Sequence, residues 1–155
     1  MKRIILPITA VLMSLIMLAS CGSTETQTVN VKDVYLKIAE SAAMPEETVE
    51  LAVADLEDYY GIKADTVAEF AAVQDACGYK DEIVIIKAVD DASAKEIAAM
   101  LNDHIEYQKD SMKNYDPAQY DILGSSKVVT NGVYAAMFIS AEQSTMAEIF
   151  NGFFK

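Results

Sequence analysis

The segment Glu82–Val89 limits the possible folds more than any other part of the chain. Ile83, Val84, Ile85 and Ile86 follow one another with no polar residue between them. Successive side chains of a strand point to opposite faces, so a strand without alternation must be covered on both. Helices on both sides of a sheet provide that cover. The chain must therefore supply amphipathic helices before and after this strand.

Several segments meet that need. Val31 to Ala43 places Val31, Val34, Tyr35, Ile38, Ala39 and Ala42 at helical spacing, and Met44-Pro45 ends it. Between Thr48 and Tyr60, Val49, Leu51 and Val53 alternate as in a strand. Leu56, Tyr59 and Tyr60 instead suit a short helix from about Ala52 that stops at Gly61. Thr66 and Glu69 have the spacing of a capping box and predict a helix through Phe70 and Val73 to Cys77. Ser93 and Glu96 repeat the pattern and open the longest helix, through Ile97, Met100, Leu101, Ile105, Gln108 and Met112, which Tyr115-Asp116-Pro117 stops. Lys127–Thr130 and Val133–Ile139 flank Asn131-Gly132, a strong hairpin signal in which both turn residues take positive φ. Thr145 and Glu148 cap a last short helix. The order predicts an α+β domain over residues 31–155. It has a small, mostly antiparallel sheet of about three strands, a β-α-β-β core, packed with several helices.

The first 20 residues are of another kind. Lys2 and Arg3 precede an uncharged apolar run, and Leu18-Ala19-Ser20 leads into Cys21. A basic start, an apolar middle and small residues before a cut site define a secretory signal peptide. Ile4–Ser20 spans 17 residues and contains Pro7, Thr9 and Ser14. That is short of the roughly 20 apolar residues of a membrane span. The four residues ending in cysteine resemble the lipobox of bacterial lipoproteins. The resemblance implies diacylglyceryl modification of the Cys21 thiol, acylation with fatty-acid chains such as palmitate, and cleavage just before that residue by the lipoprotein-processing enzymes. Residues 1–20 are then a leader, and 21–30 a lipidated cysteine and polar tether. The domain sits on the extracytoplasmic face of the cell membrane, held by its lipid. Two acyl chains anchor stably where one does not.

Cleavage there removes Lys2 and Arg3. It leaves 10 basic against 24 acidic side chains, a formal charge of −14. Such a surface repels phosphates, which excludes a nucleic-acid partner. The charge itself reads as a solubility device. The cysteines are Cys21 and Cys77. With the first carrying lipid, no internal disulfide forms, and Cys77 reads as an inert thiol near a helix end.

Four segments in order bring a family into view. They are Tyr59-Tyr60-Gly61-Ile62, Asp81 through Ala88, Tyr115 through Tyr120, and Lys127-Val128-Val129 through Gly132-Val133-Tyr134. Together they resemble a domain-of-unknown-function family of lipoproteins from low-GC Gram-positive bacteria, over roughly residues 31–154. The resemblance implies a small α+β domain behind a lipid anchor. It carries over no catalytic residue, metal ligand or cofactor.

The residues themselves offer little chemistry. His104 is the sole histidine and lies beside the apolar stripe of the long helix. Asp103 and Glu106 point elsewhere at helical angles, so a site at His104 needs groups from distant segments; an ordinary interfacial histidine is the expectation. Glu46, Glu47, Glu50, Asp55, Glu57 and Asp58 lack the spacing of a calcium loop and read as a solvated face. Asp90-Asp91 reads as helix-start chemistry. Tyr59, Tyr60, Tyr79, Tyr107, Tyr115, Tyr120 and Tyr134, in a chain without tryptophan, are the least ordinary feature and suit a binding surface. No nucleophile elbow, phosphate loop, dinucleotide motif or HExxH run occurs. The expected function is a non-enzymatic binding or interaction module of the cell envelope, with an envelope protein among its possible partners. The alternatives are an accessory small-ligand-binding protein of a transport system and an envelope hydrolase.

Overall fold

A computed structural model describes residues 28–45, 47–76 and 80–155. Its sheet has five strands, all antiparallel: β1 (Thr48–Glu50), β2 (Val67–Asp75), β3 (Glu82–Ala88), β4 (Lys127–Asn131) and β5 (Tyr134–Ile139). The spatial order is β1-β2-β3-β5-β4, which puts the unalternating strand β3 at the centre. Five helices flank it: α1 (Val31–Ser41), α2 (Val53–Tyr60), α3 (Asp91–Met112), α4 (Pro117–Ser125) and α5 (Gln143–Gly152).

The two-faced strand is covered as its sequence demands. Val84, Ile86 and Ala88 join Leu56, Ile97, Leu101 and Leu123 in a core beneath α2, α3 and α4. Ile83 and Ile85 join Val34, Ile38, Phe138, Met146 and Phe150 in a second core beneath α1 and α5. Every one of these side chains is essentially removed from water. The sheet is thus the middle layer of three, and each face has its own apolar core.

The sheet is larger than the expected three strands because two segments read differently in three dimensions. Within the stretch expected as a helix from Thr66 to Cys77, Val67–Asp75 is strand β2. Thr66 does not cap a helix: its hydroxyl donates to the Lys63 carbonyl at 2.7 Å and closes a 3-10 turn. The Glu69 carboxylate takes Lys87 Nζ at 3.1 Å across the sheet instead of returning to the chain before it. Ala68, Ala71 and Ala72 suit either state. The exposed ladder of β3 supplies the decisive hydrogen bonds, pairing Phe70 with Ile86 and Val73 with Ile83. The weak alternation before α2 is realised as β1, paired to β2 with Val49 opposite Gln74. Gly61, at φ 74°, ends α2 as expected. Its N–H donates to the Glu57 carbonyl at 2.9 Å.

Other boundaries move for local reasons. Asp90, not Ser93, caps α3: its carboxylate accepts the Ser93 N–H at 2.7 Å, which holds that carboxyl below its ordinary range. Asp116-Pro117 ends one helix and also begins α4, which the sequence reading omits. Asp116 accepts from the N–H groups of Ala118 and Gln119, both at 3.1 Å, and proline fits the first helical position because no partner is needed there. Helix α5 starts at Gln143, two residues before the expected Thr145 cap. The hairpin is present, but its loop is Gly132-Val133, with Asn131 paired to Tyr134. Only Gly132 has positive φ, 53°, so the loop carries glycine at its first central position rather than an Asn-Gly turn.

The fold takes in the last two residues of the expected tether. Val29 is buried, and the buried Tyr134 hydroxyl holds its backbone on both sides. It donates to the Val29 carbonyl and accepts the Val29 N–H, each at 2.9 Å. Asn30 then caps α1 by accepting from Lys32 and Asp33. No helix among the described residues is long and apolar enough to cross a membrane.

Candidate functional site

The first residue of the central strand is a glutamate. Glu82 lies opposite Gln74 of β2 and Ile139 of β5, and its side chain is 3% exposed. A buried carboxylate must be hydrogen-bonded or neutralised, because leaving water without partners costs several kcal/mol. Glu82 points to the face covered by α2 and α3, and both helices answer it.

From α3 come His104 and Gln108, one turn apart. Ile97, Leu101 and Ile105 bury that side of the helix, and their packing aims the next polar pair at the sheet. His104 Nε2 lies 3.0 Å from Glu82 Oε2. With its proton on Nε2 the histidine donates to this carboxylate; in the other tautomer the same nitrogen accepts from the Gln108 amide. The Gln108 amide donates to Glu82 Oε1 and lies 3.0 Å from His104 Nε2. From the end of α2 comes Tyr60, fixed by the Gly61 stop. Its hydroxyl donates to Glu82 Oε2 at 2.9 Å and accepts from Gln74 Nε2 at 3.2 Å. Burial, with the Glu82 charge beside it, pushes the Tyr60 phenol above its usual range and keeps it a hydrogen-bond donor. The Tyr60 and His104 rings meet edge to face, centroids 4.6 Å apart.

This cluster forms the floor of an open cleft of about 590 Å³ between α2 and the C-terminal half of α3. Tyr59 and Tyr107 stand at its sides, 53% and 74% exposed. Asp58 lies on its rim, and Met112 and Ala76 add apolar wall. Tyr59, His104 and Tyr107 also line a smaller adjoining depression of about 260 Å³, with Met100 and Asp103. Among the described residues, neither lining contains a lysine or an arginine.

The sequence expectations divide here. His104 is not a plain interfacial residue, since the fold brings it a carboxylate from 22 residues away. Tyr59, Tyr60 and Tyr107 come together at one place, while Tyr115 is exposed elsewhere and Tyr134 is buried against Val29. Glu47, Glu50, Glu57 and Asp58 are exposed on and around β1 and α2. Asp55 instead accepts the Ala52 N–H at the start of α2. No group of three His, Cys, Asp or Glu side chains able to hold a metal occurs among the described residues. Leu18, Ala19, Ser20, Cys21, Glu46, Cys77 and Tyr79 lie outside the described residues. Glu82, Gln74 and Gln108 were absent from the sequence reading of the site. The available signal was a charge at the head of a strand buried on both faces.

An α+β sandwich with a buried glutamate–histidine floor defines the class. The family model for a domain of unknown function, DUF4358, matches residues 40–140, and the chain belongs to that family. No curated protein and no solved structure matches it.

Proposed function

We propose that the chain is a lipoprotein held at the extracytoplasmic face of the cell membrane through Cys21, and that its domain is a non-enzymatic module binding a small ligand in the Glu82–His104 cleft. The observation that carries the binding half is the engagement of both Glu82 oxygens. They already accept from Tyr60, His104 and Gln108, so the floor is a rigid platform rather than a carboxylate free to take a proton from substrate. The cleft volume falls within the range of about 300–1,000 Å³ typical of small-molecule sites. The two exposed tyrosines beside it give a ligand apolar surface at little entropic cost.

The topology suits an anchored receptor. The N-terminal segment enters the fold at Tyr134, opposite Lys87 at the far end of β3 from Glu82. Five residue steps along the strand separate Glu82 from Lys87, about 17 Å at the usual rise. Gly22–Thr28 spans at most about 25 Å. The segment that would carry the lipid therefore enters at one end of the sheet and the cleft opens at the other.

Both halves have direct tests. Metabolic labelling with a fatty-acid probe should mark the wild type and leave Cys21→Ala unlabelled; equal incorporation rejects the anchor. Thermal unfolding across a metabolite panel should give a rise in Tm for at least one compound, because a ligand of the folded state stabilises by mass action. A flat response across the panel rejects the binding module. Hydrolysis is the second reading, favoured by the Glu82–His104 juxtaposition in a concave site. The Ser111 hydroxyl beside the cleft, however, is committed to the Tyr107 carbonyl at 3.0 Å. Turnover of a chromogenic ester by wild type but not by His104→Ala would favour that reading.

A further inference from the structure

We infer that the cleft selects a small organic cation, a primary or quaternary ammonium carried on a short apolar body. The inference rests on the cleft being a binding site and assigns the charge class of what it takes.

Three features converge on it. First, among the described residues every formal charge lining the cleft and its adjoining depression, His104 aside, is negative: Asp58 on the rim, Asp103 beside Tyr107, and Glu82 in the floor. Two of the three donors to Glu82, Tyr60 and Gln108, carry no charge and do not cancel it. An entering anion meets like charge at each position, within a chain of 24 acidic and 12 basic side chains.

Second, the walls are aromatic. Tyr59 and Tyr107 are large, half to three-quarters exposed, and border the same space. Tyr60 braces Tyr59 edge to face at 6.4 Å, and its own ring stacks edge-on to His104. A cation within about 6 Å of a ring centroid is attracted by the π-face, and ammonium groups are the ligands that aromatic walls recognise. Third, Met100, Met112 and Ala76 give the apolar body somewhere to lie, with no basic group among the described lining residues to hold a carboxylate or phosphate.

Calorimetric titration of the full-length chain in detergent tests the charge class with probes of one shape. Choline, 3,3-dimethylbutanol and 3,3-dimethylbutanoate present the same branched head as cation, neutral and anion; butylammonium and butanol repeat the comparison for a primary amine. Either cation should bind at least about tenfold tighter than its neutral counterpart, and the anion should be silent. Tyr107→Ala and Asp58→Asn, both at exposed positions, should each weaken cation binding about tenfold while leaving the unfolding midpoint in place. Neutral or anionic probes binding as well as the cations would overturn the inference. So would cation affinity that survives both substitutions, because the ligand would then sit elsewhere. Cations silent while the metabolite panel responds would remove the charge class and keep the binding module; cations and panel silent together would remove both.

Discussion

Glu82→Ala is expected to lower the free energy of unfolding by about 3–5 kcal/mol, the cost of leaving several buried donors without their shared acceptor. The reason is what remains rather than what is lost. Tyr60 Oη, His104 Nε2 and Gln108 Nε2 all donate to this one carboxylate. Without it, three donors face a void that Glu82, 3% exposed, had filled. Each orphaned donor costs about 1–3 kcal/mol, partly recovered where water enters from the cleft. Glu82→Gln keeps the shape and one acceptor and should cost only about 1–2 kcal/mol. Urea titration with linear extrapolation reads both values, and the order Ala below Gln below wild type is the test. A Glu82→Ala loss under about 0.5 kcal/mol, the size of an ordinary surface substitution, would mean that the carboxylate does not organise the cluster in solution. Combining Glu82→Ala with His104→Ala should cost less than the sum of the two, because each already removes their shared contact.

Much of the architecture was legible because it follows from local pattern. Ile83–Ile86 announced cover on both faces, and the two cores under α2–α4 and α1–α5 are that cover. The hairpin was legible from a glycine between two apolar runs, and α3 from its stripe of Ile97, Leu101 and Ile105. What failed were segments whose state is decided at a distance. Val67–Asp75 holds alanines that suit a helix or a strand, and only the open edge of β3 turns it into β2. The spacing of Thr66 and Glu69 counterfeits a capping box, yet each side chain is engaged elsewhere, with Lys63 and with Lys87. Helix α4 was hidden because proline reads equally well as a stop and a first residue. The site was hidden for the same reason as β2. His104 and Gln108 are one turn apart and visible together, but Glu82 lies on another element and Tyr60 on a third, so no spacing rule could join them.

Phe138→Ala should destabilise the domain by about 3–5 kcal/mol, the usual cost of emptying a buried phenylalanine site. It should nevertheless leave cation affinity in the cleft within about twofold, because contacts on separate layers act independently. Phe138 stands on β5 opposite Ile83 of β3, and its ring meets Phe150 of α5 edge to face with centroids 6.4 Å apart. Both rings are fully buried in the core shared with α1. Glu82 is the neighbour of Ile83 in sequence, but the strand's alternation turns its carboxylate to the opposite face. The substitution therefore opens a cavity one residue from the site while touching none of the cluster's hydrogen bonds. Denaturant titration gives the stability loss, and calorimetry below the lowered unfolding temperature gives the affinity. Unchanged stability would show that the α5 layer does not close over the sheet. A large stability loss accompanied by a tenfold fall in affinity would show that strain crosses β3, and that the two cores act as one unit rather than as independent layers.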